Sequence, residues 1–172
     1  MKTNNFTILV IDDSEDDLLF IMRAWRQLGV TNPIHTACSG DEAIAYLQGD
    51  GKYSDRSIYA YPSFITIDLK TPAGDGLSVL EYLKRNPERT VIATAVLSAS
   101  RDLDDIKKSY MLGASSYLVK PASLPDLKTM LKTLYDYWRM CEVPQVDDTG
   151  KQLRTCSDGK MGERYPQPLS GN

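Results

Sequence analysis

Four separated stretches of the chain each carry an apolar run into a residue able to do polar chemistry. FTILVID (6–12) leads into Asp12-Asp13, SFITIDL (63–69) holds Asp68, TVIATAVLS (90–98) ends in Ser98, and SSYLVK (115–120) ends in Lys120-Pro121. Carboxylates brought within a few ångströms of one another repel strongly at low effective dielectric. Keeping them ionised requires a cation, and oxygen-only ligation completed by water suits Mg²⁺. Zinc would want His or Cys, and none stands at these positions. A metal ion with a lysine beside it makes a seat for phosphoryl oxygens. Asp68 is then the natural nucleophile for an aspartyl phosphate. Asp12 and Asp13 would hold the metal, with a backbone carbonyl near Lys70 as a further ligand. Lys120 would meet a phosphoryl oxygen as a point charge, and Ser98 would donate a hydrogen bond to another. Ala99 contributes by being small.

These residues converge only if their carriers lie side by side. FTILVID is nearly all apolar and β-branched and SFITIDL is again a continuous apolar run, as strands covered on both faces should be. Between the runs lie helical patterns. Ser14 caps the first, with Asp17 three residues on in a capping-box-like arrangement. Leu18, Ile21, Met22, Trp25 and Leu28 share one face, and Gly29 ends it. PIHTACS (33–39) is a more polar strand, suited to an edge. Further helices are predicted over Gly40–Gln48, Gly76–Asn86, Asp102–Leu112 and from Ser123 to Met140, the last with Pro125 in its first turn. The order βαβαβαβαβα predicts an α/β fold, a doubly wound five-stranded parallel sheet with helices on both faces. In such sheets ligands bind beyond the carboxyl ends of the strands, where all four polar residues stand. Residues 49–62 form a Tyr-rich loop longer than usual for an α-to-β connection. The domain is expected over 6–140. Residues 141–172, with three Pro, four Gly and few aliphatics, read as a disordered tail.

Composition narrows the functions. The chain has 172 residues, 20 basic and 23 acidic, for a net charge of −3. That argues against duplex DNA as a partner and against a polybasic membrane contact. No apolar run approaches the ~18 residues of a membrane helix. The start, MKTNNFTILVIDD, lacks the pattern of a signal peptide. Three cysteines without metal spacing fit a reduced, cytoplasmic compartment. One histidine, His35, makes His-centred triads unlikely and reads as an ordinary strand side chain. Cys38 reads as a small buried hydrophobe.

The stretches LVIDDSEDD, ITIDLKTPAGDG, VLSAS and YLVKP together resemble the receiver domain of two-component response regulators, over residues 6–140. The resemblance implies a flavodoxin-like (βα)5 fold and phosphotransfer from a sensor histidine kinase to Asp68 with Mg²⁺. It also implies a cis bond before Pro121 and a switch pair, Ser98 and Tyr117. As Ser98 turns toward the phosphoryl group, Tyr117 moves into the space it leaves. The face made by the fourth helix, fifth strand and fifth helix then changes shape, a two-state population shift. More narrowly, the Tyr-rich 49–62 loop and the LYDYW segment resemble small stand-alone regulators paired with phytochrome-type kinases. That implies a homodimer through the same face. Lys70 and Ser100, each two residues past a site residue, would border the route of an attacking water. Thr71 replaces the bulky apolar residue usual there.

Other readings compete. Asp12-Asp13 alone would also suit a helix N-terminus, and Tyr117 could be plain strand filler. GDGKYS (49–54) lacks the glycine spacing of a P-loop. An aspartate-nucleophile phosphohydrolase needs a second acid two positions after the nucleophile, where Lys70 stands. A binding module without phosphorylation would not need the acidic residues and Lys120 together. The chain is thus expected to be no enzyme beyond chemistry on itself. Of Tyr135, Tyr137 and Trp138, three aromatics in four positions, not all can point inward.

Overall fold

The computed structural model describes residues 6–69, 75–87, 92–142 and 146–151. The apolar runs become β1 (Ile8–Ile11), β3 (Phe64–Ile67), β4 (Ala93–Ser98) and β5 (Ser116–Val119), and the polar run becomes β2 (Ile34–Ala37). Between and after them stand α1 (Glu15–Gln27), α2 (Gly40–Gln48), α3 (Asp75–Arg85), α4 (Leu103–Met111) and α5 (Leu124–Met140). All strand pairs are parallel, in the order β2-β1-β3-β4-β5. This is the doubly wound, flavodoxin-like sheet that the sequence predicts, with the polar strand at an edge.

Alternation along the strands divides the core in two. Leu9, Ile11, Ile65, Ile67 and Val96 face α2 and α3, packing with Ala43, Leu47, Val79, Leu80 and Leu83. Ile8, Val10, Phe64, Ala95 and Leu97 face α1 and α5, packing with Ile21, Trp25, Leu127, Leu131 and Trp138. Trp138 stacks on Phe64 with ring centroids 4.4 Å apart. Tyr135 is half-buried and donates its hydroxyl to Asn32 Oδ1 at 2.7 Å. Tyr137 alone of the three aromatics points outward, 59% exposed.

The helices start where side chains satisfy the free N–H groups of the first turn. Ser14, Ser39 and Ser123 accept from Asp17, Glu42 and Asp126, and Asp102 accepts from Asp104.

The regular strands are shorter than the apolar runs because the ladder frays at its ends. It nevertheless continues as single bonds: Ser63 donates to the Thr7 carbonyl, Asp12 to Ala37, Asp68 to Ile11 and Lys120 to Ser98.

The structure departs from the sequence reading elsewhere. No peptide bond is cis among the described residues. The bond before Pro121 is therefore trans, correcting the expectation drawn from the family resemblance; trans is the lower-energy form even ahead of proline. Cys38 is exposed rather than buried. It follows the last residue of an edge strand, where no neighbouring strand covers it, and its N–H donates to Glu42 Oε2 at 2.6 Å.

The 49–62 segment is packed rather than open. Arg56 donates to the carbonyls of Tyr46 at 2.8 Å, Leu47 at 2.9 Å and Tyr59 at 3.1 Å. It thereby closes the C-terminal end of α2, adding donors to the carbonyls of its last turn. Tyr46, Tyr53 and Tyr61 are buried around it.

Within the segment read as a tail, residues 146–151 form a tight turn. Asp147 Oδ1 accepts from Thr149 and from the Lys151 N–H. Val146 packs on the α2–α3 side of the core. Gly150 lies so close to the Tyr61 ring that a Cβ there would sit 2.0 Å from it.

Candidate functional site

Strand register brings the predicted residues to one edge. Ile11 pairs with Ile67, Ile67 with Val96, and Ser98 with Val119. One residue further along, Asp12 and Asp68 leave their strands at the same level, and Lys120, one residue past Val119, stands two residues beyond that level at the end of β5. Each is held by a backbone bond to the neighbouring strand, at 3.1, 2.9 and 2.9 Å respectively. The polar ends are thus anchored by the sheet rather than by loops.

Lys120 stands at the centre. Its ammonium donates to Asp12 Oδ2 at 2.5 Å, Asp68 Oδ2 at 2.6 Å and Asp17 Oδ2 at 2.7 Å. Its side chain is only 11% exposed, and those of Asp12 and Asp68 are buried as well. Burial pulls the lysine pKa down, but hydrogen bonds to three carboxylates outweigh it and hold the ammonium charged well above the usual lysine range. Burial lifts the Asp12 carboxyl above its ordinary value, and the bond and charge of Lys120 offset only part of that rise.

Asp12, Asp17 and Asp68 each present an oxygen within 4.8 Å of the others. This is an all-oxygen donor set, which fits a hard cation such as Mg²⁺. Asp13 is half-buried and is not part of this trio. Lys70, whose carbonyl the sequence reading made a metal ligand, lies outside the described residues, as does Thr71.

Asp17 takes the place that the sequence reading did not give it. Its backbone N–H completes the Ser14 cap at 3.2 Å. The return bond of a capping box is made instead by Asp12, whose Oδ1 accepts from the Ser14 N–H at 3.1 Å. The Asp17 carboxylate is therefore free to turn to Lys120. Five residues after Asp12 and one helical turn into α1, it reaches back over the strand end. That spacing was the available signal, and cap chemistry had already accounted for the residue.

Ser98 is fully buried at the end of β4. Its Oγ accepts from the Ser100 N–H at 3.2 Å. Ser100 Oγ in turn donates to Asp105 Oδ2 at 2.7 Å and accepts from the Asp102 N–H at 3.2 Å. Tyr117 donates its hydroxyl to the Ser100 carbonyl at 3.1 Å, and its N–H donates to the Tyr110 hydroxyl at 3.2 Å. A continuous chain of bonds thus runs from the strand end at Ser98 to both α4 and β5. Ala99, Lys120, Pro121 and Asp17 line a cavity of about 280 Å³ beside the trio.

A doubly wound parallel sheet whose strand ends gather acidic side chains around a buried lysine is the architecture of a receiver module. The chain belongs to the response regulator receiver domain family, whose model matches residues 8–132. It is 34% identical over 136 residues to the probable methanogenesis regulatory protein FilR2 of Methanothrix harundinacea, covering 77% of this chain and 83% of that protein. It is 31% identical over 131 residues to response regulator Rcp1 of Synechocystis, covering 76% and 87%. The solved Mn²⁺-bound form of Rcp1 superposes with a TM-score of 0.71 at 30% identity, over 81% of this chain and 99% of that one. The phosphorylated cyanobacterial phytochrome response regulator RcpA superposes with a TM-score of 0.74 at 32% identity, over 82% and 99%. No helix among the described residues is long and apolar enough to cross a membrane.

Proposed function

We propose that this chain accepts a phosphoryl group on Asp68 from a sensor histidine kinase and changes its α4–β5–α5 face in response. The observation that carries the reading is the contact of Lys120 with Asp68 at 2.6 Å, inside an otherwise all-oxygen cluster. In the transfer, an Asp68 carboxylate oxygen forms a bond to phosphorus while the phosphorus–nitrogen bond of a phosphohistidine breaks. The imidazole keeps the electron pair and takes a proton from solvent. In the return step water adds to phosphorus, the bond to Asp68 breaks, and inorganic phosphate leaves.

Asp12, Asp13 and Asp68, with the Lys70 carbonyl, would hold Mg²⁺. When bound, the ion neutralises charge gathering on the phosphoryl oxygens. Lys120 meets one phosphoryl oxygen and Ser98 another, and Ala99 leaves room for the group. Ser98 turning toward that oxygen would weaken its bond with the Ser100 N–H. Tyr117, tied to the Ser100 carbonyl, is placed to feel the change. That would couple the site to α4 and β5 as a two-state element.

The phytochrome name of RcpA supports a phytochrome-type kinase as partner. A homodimer through α4, β5 and α5 follows from the same analogy. Direct DNA binding and membrane association form no part of the reading. Free thiols at Cys38 and Cys141 support a reduced, cytoplasmic setting.

Acetyl phosphate with Mg²⁺ is expected to add one phosphoryl group to wild type and none to Asp68→Asn, read by intact mass. Equal labelling of the mutant rejects Asp68 as acceptor. Light scattering after size exclusion, with and without a beryllofluoride mimic, tests the dimer. An unchanged mass removes the dimer and leaves phosphotransfer standing.

A further inference from the structure

A lysine ammonium has three N–H donors, and all three of Lys120 are taken by Asp12, Asp17 and Asp68. A phosphoryl oxygen arriving at Asp68 can therefore be served only if one carboxylate gives up its donor. The three are not equivalent. The Asp12 side chain is 1% exposed and that of Asp68 8%, whereas that of Asp17 is 48% exposed. Losing a donor costs a buried carboxylate more than an exposed one, because Asp17 can turn to water and replace the bond. Asp17 and Lys120 also border the 280 Å³ cavity together with Ala99, so a bond opened there has room to rearrange.

We propose that Asp17 is a positioning residue: it holds Lys120 in the unphosphorylated chain and hands the third N–H to the phosphoryl group as Asp68 is modified. This rests on Asp68 being the acceptor. The Asp17 contact exists before transfer and is gone both in the phosphorylated chain and in the transition state for its hydrolysis. Asp17 therefore slows loading and leaves unloading untouched.

The test compares the full chain as wild type, Asp17→Asn and Asp17→Glu, each at saturating Mg²⁺ with acetyl phosphate as donor. Asp17→Asn is expected to load several-fold faster with an unchanged rate of dephosphorylation, and Asp17→Glu to return toward wild type. Without any donor, the ¹H–¹⁵N signal of the Lys120 ammonium is expected to exchange faster with water in Asp17→Asn and to recover in Asp17→Glu. The gain in loading rate is expected to persist at high ionic strength, where repulsion between Asp17 and an anionic donor is screened.

Unchanged loading with unchanged ammonium exchange overturns the proposal. So does a gain that disappears in salt, or an equal change in loading and unloading. A wild-type chain that takes up no phosphoryl group overturns the receiver function itself. That failure is recognised because it does not depend on residue 17, and the ammonium signal still reads whether Asp17 holds Lys120.

Discussion

Gly76 lies flush against the backbone of Asp68: a Cβ at Gly76 would sit 2.1 Å from the Asp68 carbonyl oxygen and 2.9 Å from the Leu69 Cα. The start of α3 is therefore pressed onto the strand end that carries Asp68. Any side chain at 76 must displace one or the other. Gly76→Ala is expected to lower stability by about 2 kcal/mol or more, read by urea denaturation. It is also expected to slow phosphoryl uptake. Wild-type values for both would show that the contact yields easily.

Lys120 supplies the positive charge facing three carboxylates. Lys120→Met should leave them repelling one another, costing roughly 3 kcal/mol at neutral pH. Mg²⁺ should restore part of that loss by binding the freed oxygens, more in the mutant than in wild type. Thermal melts with and without Mg²⁺ measure the difference; equal stabilisation of both proteins would count against a shared oxygen set.

Trp138 and Tyr137 are neighbours with opposite roles. Trp138→Ala removes a buried ring stacked on Phe64 and is expected to cost roughly 3–5 kcal/mol. Tyr137→Ser, on the exposed side, is expected to change monomer stability by less than about 0.5 kcal/mol. If that face pairs two copies, the same Tyr137 substitution should instead weaken the dimer, seen as concentration-dependent light scattering.

Glu42 gives a pH signature away from the site. Burial raises its pKa, but bonds from Lys52, the Cys38 N–H and the Tyr53 hydroxyl overcome this and lower it from 4.5 to about 2. A depressed carboxyl contributes stability that is fully present above its unfolded value and is lost as pH falls toward the folded one. The loss should therefore run from about pH 4.5 down to pH 2. Glu42→Gln is expected to lower stability by on the order of 1 kcal/mol at neutral pH and to flatten the acid limb in that window. An acid limb identical to wild type would exclude Glu42 as its source.

The sheet and three of its site residues were legible because strand chemistry is local. An apolar run ending in Asp12, Asp68 or Lys120 states both the strand and what it carries, and parallel order brings those ends together. The start of α1 was legible for the same reason, since Ser14 caps its own next turn, whereas the Ser39 cap was read only as the end of a strand run. The role of Asp17 was not legible. Its partner Lys120 lies 103 residues away in sequence, and a local explanation in the cap was already sufficient. Arg56 was hidden likewise, because a loop arginine that closes the end of a preceding helix has no periodicity to betray it. Cys38 was misread because a thiol is small and apolar, while its exposure depends on standing past an edge strand. The trans bond before Pro121 went against an expectation borrowed from relatives rather than derived from this chain.

The close seat of Gly150 on Tyr61 fixes the place of the 146–151 turn. Tyr61 precedes β3, at the opposite pole of the sheet from Asp68. The 146–151 turn therefore sits at the pole of the sheet away from the acidic trio. A dye placed on the exposed Asp148 would then stand clear of the carboxylate rim, leaving it open to approach.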